Sequence, residues 1–170
     1  MDNRLFKSLI IISIGLLFLR LGFILNTMVI DDEAYYYIYS RHLAWGYIDH
    51  GPLIAFLIKT FTTIFGGNGF GIRVGSVVLV TSLGCFLYIF GKKYFNQNTG
   101  AIMSLTVLTN VLFHTNGVVM TPDVPLVFFS FLFIIFYYMA FFNDKSWFLP
   151  AGICLGFGLL SKISALFPAL

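Results

Sequence analysis

Three groups of polar residues stand out in an otherwise apolar chain, because their side chains can bind ions or move protons. In chain order they are Asp31-Asp32-Glu33, Asp49-His50 and Asp123. An adjacent Asp-His pair can bind a phosphate, a metal ion or a substrate hydroxyl, although an isolated histidine more often has a structural role. Asp123 follows Thr121-Pro122 and also fits the N-cap of a helix. Spacing alone leaves both the chemical and the structural interpretation open.

The three successive acids begin a segment, 31–45, that is predicted to form a helix on the membrane surface. The helix dipole favours negative charge at its N-terminal end. One face carries, at helical spacing, Tyr35, Ile38, His42 and Trp45. Tyrosine and tryptophan suit the headgroup layer. A solvated helix start with an aromatic belt explains these residues without a function, but three acids beside a bilayer are costly unless they have a task.

The elements that must position these residues follow from the composition. Of 170 residues, 59% are hydrophobic and only 10% are charged, against roughly 25% charged in a typical soluble domain. A soluble enzyme, a disordered chain and a coiled coil are therefore excluded, and an integral membrane protein surrounded by lipids remains. The net charge of +3 is too weak to indicate nucleic acid as a partner.

The apolar runs predict about five membrane spans of about 20 residues each. They lie at about 8–28, 70–91, 100–120, 124–142 and from 147 onward. The run 53–65 contains Lys59 and is too short to cross a hydrocarbon core of about 30 Å. It is therefore predicted to be an interfacial or re-entrant helix that ends at Gly-Gly-Asn-Gly, residues 66–69.

The cations set the predicted orientation, because cytoplasmic loops carry an excess of Lys and Arg. The residues assigned to the cytoplasm are Arg4, Lys7, Lys92, Lys93 and Lys145. This orientation puts the N-terminus in the cytoplasm and five of the seven acids on the external face. Arg20 lies inside the first span, where an ionisable side chain usually faces the interior of the bundle.

Five short motifs occur in order along the chain. They are Asp32-Glu33-Ala34-Tyr35-Tyr36, Asp49-His50-Gly51-Pro52-Leu53-Ile54-Ala55, Phe70-Gly71-Ile72-Arg73, Thr121-Pro122-Asp123-Val124-Pro125 and Leu160-Ser161-Lys162. In this order and topology they resemble the N-terminal part of bacterial GT-C glycosyltransferases, in the branch of the protein O-mannosyltransferases and the lipid A aminoarabinose transferases.

The resemblance implies a fold and a location. The fold is an all-α, polytopic transmembrane helix bundle of the GT-C type, with interfacial amphipathic helices in the first external loop. Residues 1–170 would form a single membrane domain, the N-terminal portion of a longer glycosyltransferase module that is truncated at its C-terminus. The protein would be a multi-pass protein of the cell inner membrane, with its active site on the periplasmic side.

The resemblance also implies an activity. Enzymes similar to this chain move a sugar from a polyprenyl-phosphate donor to a hydroxyl group of an extracytoplasmic protein or glycolipid. The phosphate leaves without the carboxylic acid that a glycosidase needs, but the acceptor oxygen must lose its proton to a general base. Asp32 is the implied base because it matches the first acid of the family's Asp-Glu motif. Glu33 would orient it or bind the acceptor, and Asp31 is the alternative base.

The donor phosphate needs its own binding residues, because its charge must be neutralised. The residues predicted to bind substrate or phosphate are Asp49, His50, Lys59, Arg73 and Asp123. Neither a cofactor nor a metal ion is predicted. Many relatives read Asp-His-Pro-Pro where this chain has Gly51, which is predicted to loosen the turn. Lys162 interrupts the last apolar run and either approaches a lipid phosphate or marks a helix end.

Two functions of other classes remain as alternatives to a transferase. One is a transporter or flippase for lipid-linked sugars, which should carry inverted repeats and ionisable residues near the midplane of the membrane. The acids here cluster at one surface and no repeat is visible, which disfavours a transporter. The other alternative is a non-catalytic membrane assembly subunit.

Overall fold

The computed structural model describes residues 3–169, and the regular elements in this range are helices. The eight α-helices are α1 Asn3–Asn26, α2 Asp31–Arg41, α3 Leu53–Phe65, α4 Gly69–Tyr94, α5 Gln97–Thr109, α6 Val111–Asn116, α7 Asp123–Phe142 and α8 Phe148–Ser161. Short 3₁₀ helices at Lys145–Trp147 and Ile163–Ala169 flank α8. The prediction of an all-α membrane helix bundle is confirmed.

Three of the described helices, α1, α4 and α7, are long and apolar enough to cross a membrane. Two of the five predicted spans are not single long helices. The third predicted span, 100–120, is divided into α5 and α6, and the last one contains α8, which has only 14 residues. A single spanning helix needs about 20 residues.

The break between α5 and α6 is caused by Asn110. Its backbone is extended, with φ −66° and ψ 136°, and its side-chain oxygen accepts a hydrogen bond from the backbone N–H of Leu112 at 3.0 Å. An asparagine that caps a new helix in this way ends the previous one. Hydropathy over 100–120 could not reveal the break, because most residues around Asn110, such as Leu108, Val111 and Leu112, are apolar.

The short helix α3 and the loop after it agree with the sequence. α3 has 13 residues and ends at Phe65, where Gly66 adopts a φ of 91° that favours glycine. The side chain of Asn68 then accepts a hydrogen bond from the backbone N–H of Gly71 at 2.9 Å and caps α4. The turn therefore returns the chain at once from α3 into a long apolar helix.

α4 is the central helix of the bundle. It packs against α1, α3, α5 and α7, while α8 packs against α7. The contact with α5 depends on two small residues, because a Cβ atom added to Gly91 would lie 2.5 Å from the Cα atom of Gly100. Small residues that let helix backbones approach closely are typical of membrane helix packing.

Arg20 faces the interior of the bundle, as predicted. Its side chain is only 1% exposed, and Nη2 donates a hydrogen bond to the carbonyl oxygen of Leu108 at 3.0 Å. That carbonyl belongs to the last turn of α5, where no helical N–H follows to satisfy it. Arg20 also packs against Gly117, where an added Cβ atom would lie 2.7 Å from Nε. The buried arginine therefore joins α1 to both sides of the α5–α6 break.

Candidate active site

A buried ion pair between Glu33 of α2 and Arg73 of α4 anchors the end of the bundle that carries the predicted site. The two side chains are 0% and 1% exposed. Nε of Arg73 donates to both carboxylate oxygens of Glu33 at 2.8 Å, and Nη2 donates to Oε2 at 2.5 Å. Charge-assisted contacts of this kind are the strong class of hydrogen bond.

The remaining donors of Arg73 bind the segment that connects α1 to α2. Nη1 donates to the carbonyl oxygen and the hydroxyl oxygen of Thr27, and Nη2 donates to the carbonyl oxygen of Met28. A guanidinium group has five N–H donors, and all of them have acceptors inside the protein. Arg73 therefore has no donor left for the phosphate contact predicted from the sequence.

Glu33 is as fully engaged as its partner. Its Oε1 accepts the backbone N–H of Met120 at 2.9 Å, and its Oε2 accepts the backbone N–H of Ile30 at 3.2 Å. One carboxylate thus joins α2, α4 and the segment before α7. Because Glu33 is buried, it leaves no surface for an acceptor molecule.

Tyr36 is a buried residue of α2 that lies beside His50. Burial raises the pKa of Tyr36, and the negative charges of Asp32, Asp123 and Asp49 raise it further. Three acids that are far apart in the sequence therefore act electrostatically on one hydroxyl group.

Tyrosine side chains connect α2 to the Asp49-His50 segment. The hydroxyl of Tyr35 donates a hydrogen bond to Oδ2 of Asp49 at 2.7 Å and also contacts the hydroxyl of Tyr39. The hydrogen bonds to Tyr39 and Asp49 raise the pKa of Tyr35, because they stabilise its protonated form. The ring of Tyr39 stacks on Tyr47 with centroids 3.9 Å apart.

The C-terminal end of α8 completes the site. The backbone N–H of Gly51 donates to the carbonyl oxygen of Ser161 at 3.2 Å, and the hydroxyl of Ser161 donates to the carbonyl oxygen of Pro122 at 2.6 Å. The next residue, Lys162, forms an ion pair with Asp123, with Nζ 2.9 Å from Oδ1. The end of α8 is thereby fixed between the Asp49-His50 segment and Asp123.

Gly51 has a different role from the one predicted. A Cβ atom at this position would lie 2.0 Å from the carbonyl oxygen of Leu160. The missing side chain lets the backbone of the Asp49-His50 segment contact the backbone of α8, so the contact is tightened and the turn is not loosened.

Replacing Gly51 with alanine should therefore force α8 away from this segment. We expect a loss of about 1–3 kcal/mol in the free energy of unfolding, the usual cost of inserting an atom into a closely packed site. Denaturant unfolding of the purified protein in detergent measures the loss. The matched control is Gly46→Ala in the same loop, where an added Cβ atom meets nothing within 4 Å. Equal stability of the two variants would contradict the role of Gly51.

A cavity of about 460 Å³ opens where these segments meet. Its lining includes Asp49, His50, Lys162 and Ser164. Nδ1 of His50 is buried and has no hydrogen-bond partner within residues 3–169, while the His50 ring packs against Tyr36 with centroids 5.8 Å apart. The cavity thus combines the ammonium group of Lys162, the imidazole of His50 and the carboxylate of Asp49, which suits a ligand that carries a phosphate and hydroxyl groups.

The structure brings most, but not all, of the predicted residues together. Asp49 and His50 line the cavity, and Asp123 is held beside it by Lys162. Asp32 is exposed in the first turn of α2, next to Asp31. Lys59 is exposed on α3 and does not line the cavity, so nothing in the geometry supports its predicted contact with phosphate.

Two participants were not among the predicted site residues. The sequence suggests Lys162 only as a lipid contact or a helix end, although Lys162 is the cation that lines the cavity. Tyr35 was assigned to an aromatic belt, although its hydroxyl binds Asp49. The Leu-Ser-Lys sequence at the end of an apolar run was a usable signal for Lys162, whereas no local spacing links Tyr35 to a residue 14 positions away.

Metal ligands do not converge in the described part of the chain. Within residues 3–169, no group of three His, Cys, Asp or Glu side chains is arranged to hold a metal ion. Among the residues that line the cavity, Lys162 carries a positive charge.

Comparison with known families identifies the family of the chain. Residues 49–170 match the family model described as dolichyl-phosphate-mannose-protein mannosyltransferase. The match covers more than half of the chain, and the chain belongs to this family of GT-C glycosyltransferases. No curated protein and no solved structure matches the chain.

The matched range divides the predicted residues into two sets. Asp49, His50, Lys59, Arg73 and Asp123 fall inside it. The acids of the first group, at 31–33, precede it, so the family match does not extend to the predicted base. The chain is a multi-pass membrane protein of a transferase family, which favours an enzyme over a transporter or an assembly subunit.

Proposed function

We propose that this chain forms the active site of a glycosyltransferase that moves a sugar from a polyprenyl-phosphate donor to a hydroxyl group of an extracytoplasmic protein or glycolipid. The observation that carries the proposal is the cavity lined by Lys162, His50 and Asp49. The family supplies the class of reaction. No cofactor or metal ion is part of the proposal.

The reaction exchanges one bond of the sugar for another. The acceptor oxygen bonds to the anomeric carbon, the bond from that carbon to the phosphate oxygen breaks, and the polyprenyl phosphate leaves with the bonding electrons. The acceptor proton passes to the general base, for which we propose the carboxylate of Asp32. Asp32 suits this task because it is exposed on the first turn of α2, within Coulombic reach of Tyr36.

The surrounding residues divide the other tasks. Lys162 binds the charged phosphate of the donor, and Asp123 holds the ammonium group through their ion pair. His50 and Asp49, which also line the cavity, bind the sugar or the phosphate. Glu33 and Arg73 keep α2 in place and so set the position of Asp32, which precedes Glu33 directly.

The proposed location follows from the cations. Lys92 and Lys93 lie in the last turn of α4, whereas Arg73 and the candidate site lie at the other end of that helix. The positive-inside rule then puts the site on the extracytoplasmic face. We propose the cell inner membrane, with the N-terminus in the cytoplasm.

Transfer of label from a donor tests the proposed function. Membranes that contain the chain would be incubated with polyprenyl-phosphate sugars labelled in the sugar, with mannose first, and with envelope proteins and lipids as acceptors. We expect label to appear in protein or in glycolipid. Absence of transfer from every donor of the panel, with the protein shown to be folded in the membrane, would overturn the proposal.

Replacing Lys162 with glutamine should weaken donor binding more than it slows the chemical step. A hydrogen bond to a charged group contributes about 1.5–3 kcal/mol, and the lower end applies here because the side chain is 38% exposed. We therefore expect the KM for the donor to rise about tenfold. Initial rates at varied donor concentration measure it, with Lys145→Gln, a cation outside the cavity, as the matched control. An unchanged KM for the donor would contradict the proposal that Lys162 binds the donor.

A further inference from the structure

A second cavity lies between α1, α4 and α5, away from the candidate active site. Its volume is about 350 Å³. The residues that form its walls include Phe6, Ile10, Ile14, Cys85, Tyr88 and Ile89. Tyr88 follows Arg73 by 15 positions on α4, which corresponds to about 22 Å along a helix. The cavity therefore belongs to the opposite end of the bundle and plays no part in the proposed transfer reaction.

This second cavity forms a groove, and one end of the groove carries positive charge. Nζ of Lys92 lies 5.9 Å above the ring of Tyr88, and that ring stacks on Phe6 with centroids 5.5 Å apart. Lys7, which follows Phe6, and Lys92 are both exposed. From this end, the apolar wall extends along α4 from Tyr88 to Thr81, about 10 Å at the rise of a helix.

We propose that the groove binds one anionic phospholipid. The acyl chain lies along the apolar wall formed by α1 and α4, and the phosphate lies beside Lys92 and Lys7. A groove with a charged end and an apolar wall matches an anionic phospholipid, which has a charged headgroup and an apolar acyl chain. The positive-inside rule places this end at the cytoplasmic leaflet, where anionic lipids are abundant and each nearby Lys adds attraction.

Lipid competition followed by native mass spectrometry tests the proposal. The purified full chain in detergent would be offered equal amounts of phosphatidylglycerol and phosphatidylcholine. We expect one phosphatidylglycerol molecule to be retained in preference. Lys92→Gln should reduce that preference about fivefold, while Lys145→Gln, which removes a cation outside the groove, should leave it unchanged. Equal retention of the two lipids by the unaltered protein would overturn the proposal.

A second variant tests the groove itself. Cys85 is exposed and lines the groove, so Cys85→Phe should fill the space and abolish retention of the lipid, with the helical circular dichroism unchanged. Full retention by this variant would overturn the proposal. Displacement of the lipid by equimolar polyprenyl phosphate, or by a second copy of the chain, would assign the groove to the donor tail or to a helix and would also overturn it.

Discussion

Replacing Arg73 with methionine should lower the free energy of unfolding by about 3–5 kcal/mol, the range for breaking a buried ion pair by removing one partner. The carboxylate of Glu33, 0% exposed, would be left without its counter-ion. The carbonyl oxygens of Thr27 and Met28 would also lose their donor. This is the largest effect on stability that we expect from a single substitution in the chain.

Denaturant titration of the purified protein in mixed micelles, followed by circular dichroism, measures this loss. The control is the double variant Glu33→Leu/Arg73→Met, which removes both charges. It should be more stable than Arg73→Met alone, because no unpaired charge is then buried. It should not recover the stability of the unaltered protein, since the backbone N–H groups of Ile30 and Met120 lose their acceptor. A loss below about 1 kcal/mol for Arg73→Met would contradict the role of the pair.

Replacing Asp32 with asparagine should reduce the rate of sugar transfer by about 10²–10⁴-fold, the usual contribution of a general base. The amide keeps the size of the side chain but does not take up the acceptor proton. Asp32 is exposed, so its replacement should leave folding and membrane insertion intact. The rate is measured as labelled sugar transferred per unit time in membranes that contain equal amounts of each variant.

The neighbouring acid supplies the matched control for this experiment. Asp31→Asn removes the same charge from the same helix turn and should keep the rate within a few-fold of that of the unaltered protein. A normal rate for Asp32→Asn together with a large loss for Asp31→Asn would move the base to Asp31. Normal rates for both variants would show that neither Asp31 nor Asp32 is the general base.

The sequence could predict those parts of the fold that depend on local composition. Long apolar runs identified α1, α4 and α7, and Gly-Gly-Asn-Gly identified the turn after α3. The break at Asn110 was missed, because one polar residue hardly changes the hydropathy of a long window. Its effect comes from a hydrogen bond to Leu112 that hydropathy does not describe.

The candidate site was predicted in outline, and the missing parts are long-range contacts. The acids were recognisable because charged residues are rare in this chain. Glu33 and Arg73 are separated by 40 positions, and Lys162 and Asp123 by 39. No local sequence pattern shows that Glu33 and Arg73 are buried and hydrogen-bonded to each other, whereas the pair of Lys162 and Asp123 borders a cavity. Burial decides which charges are structural, and burial is a property of the assembled bundle.

The long-range partners of Arg20 and Glu33 impose an order on the biogenesis of the protein. Arg20 binds Leu108, 88 positions later, and Glu33 binds Arg73, 40 positions later. At a synthesis rate of about 5–20 residues per second, Glu33 waits about 2–8 s for its partner and Arg20 about 4–18 s. During that interval the nascent α1–α2 segment holds two charges whose final acceptors and donors do not yet exist. Arg20 and Glu33 can reach their final contacts only after α4 and then α5 have been synthesised, so the N-terminal segment is inserted well before it is docked.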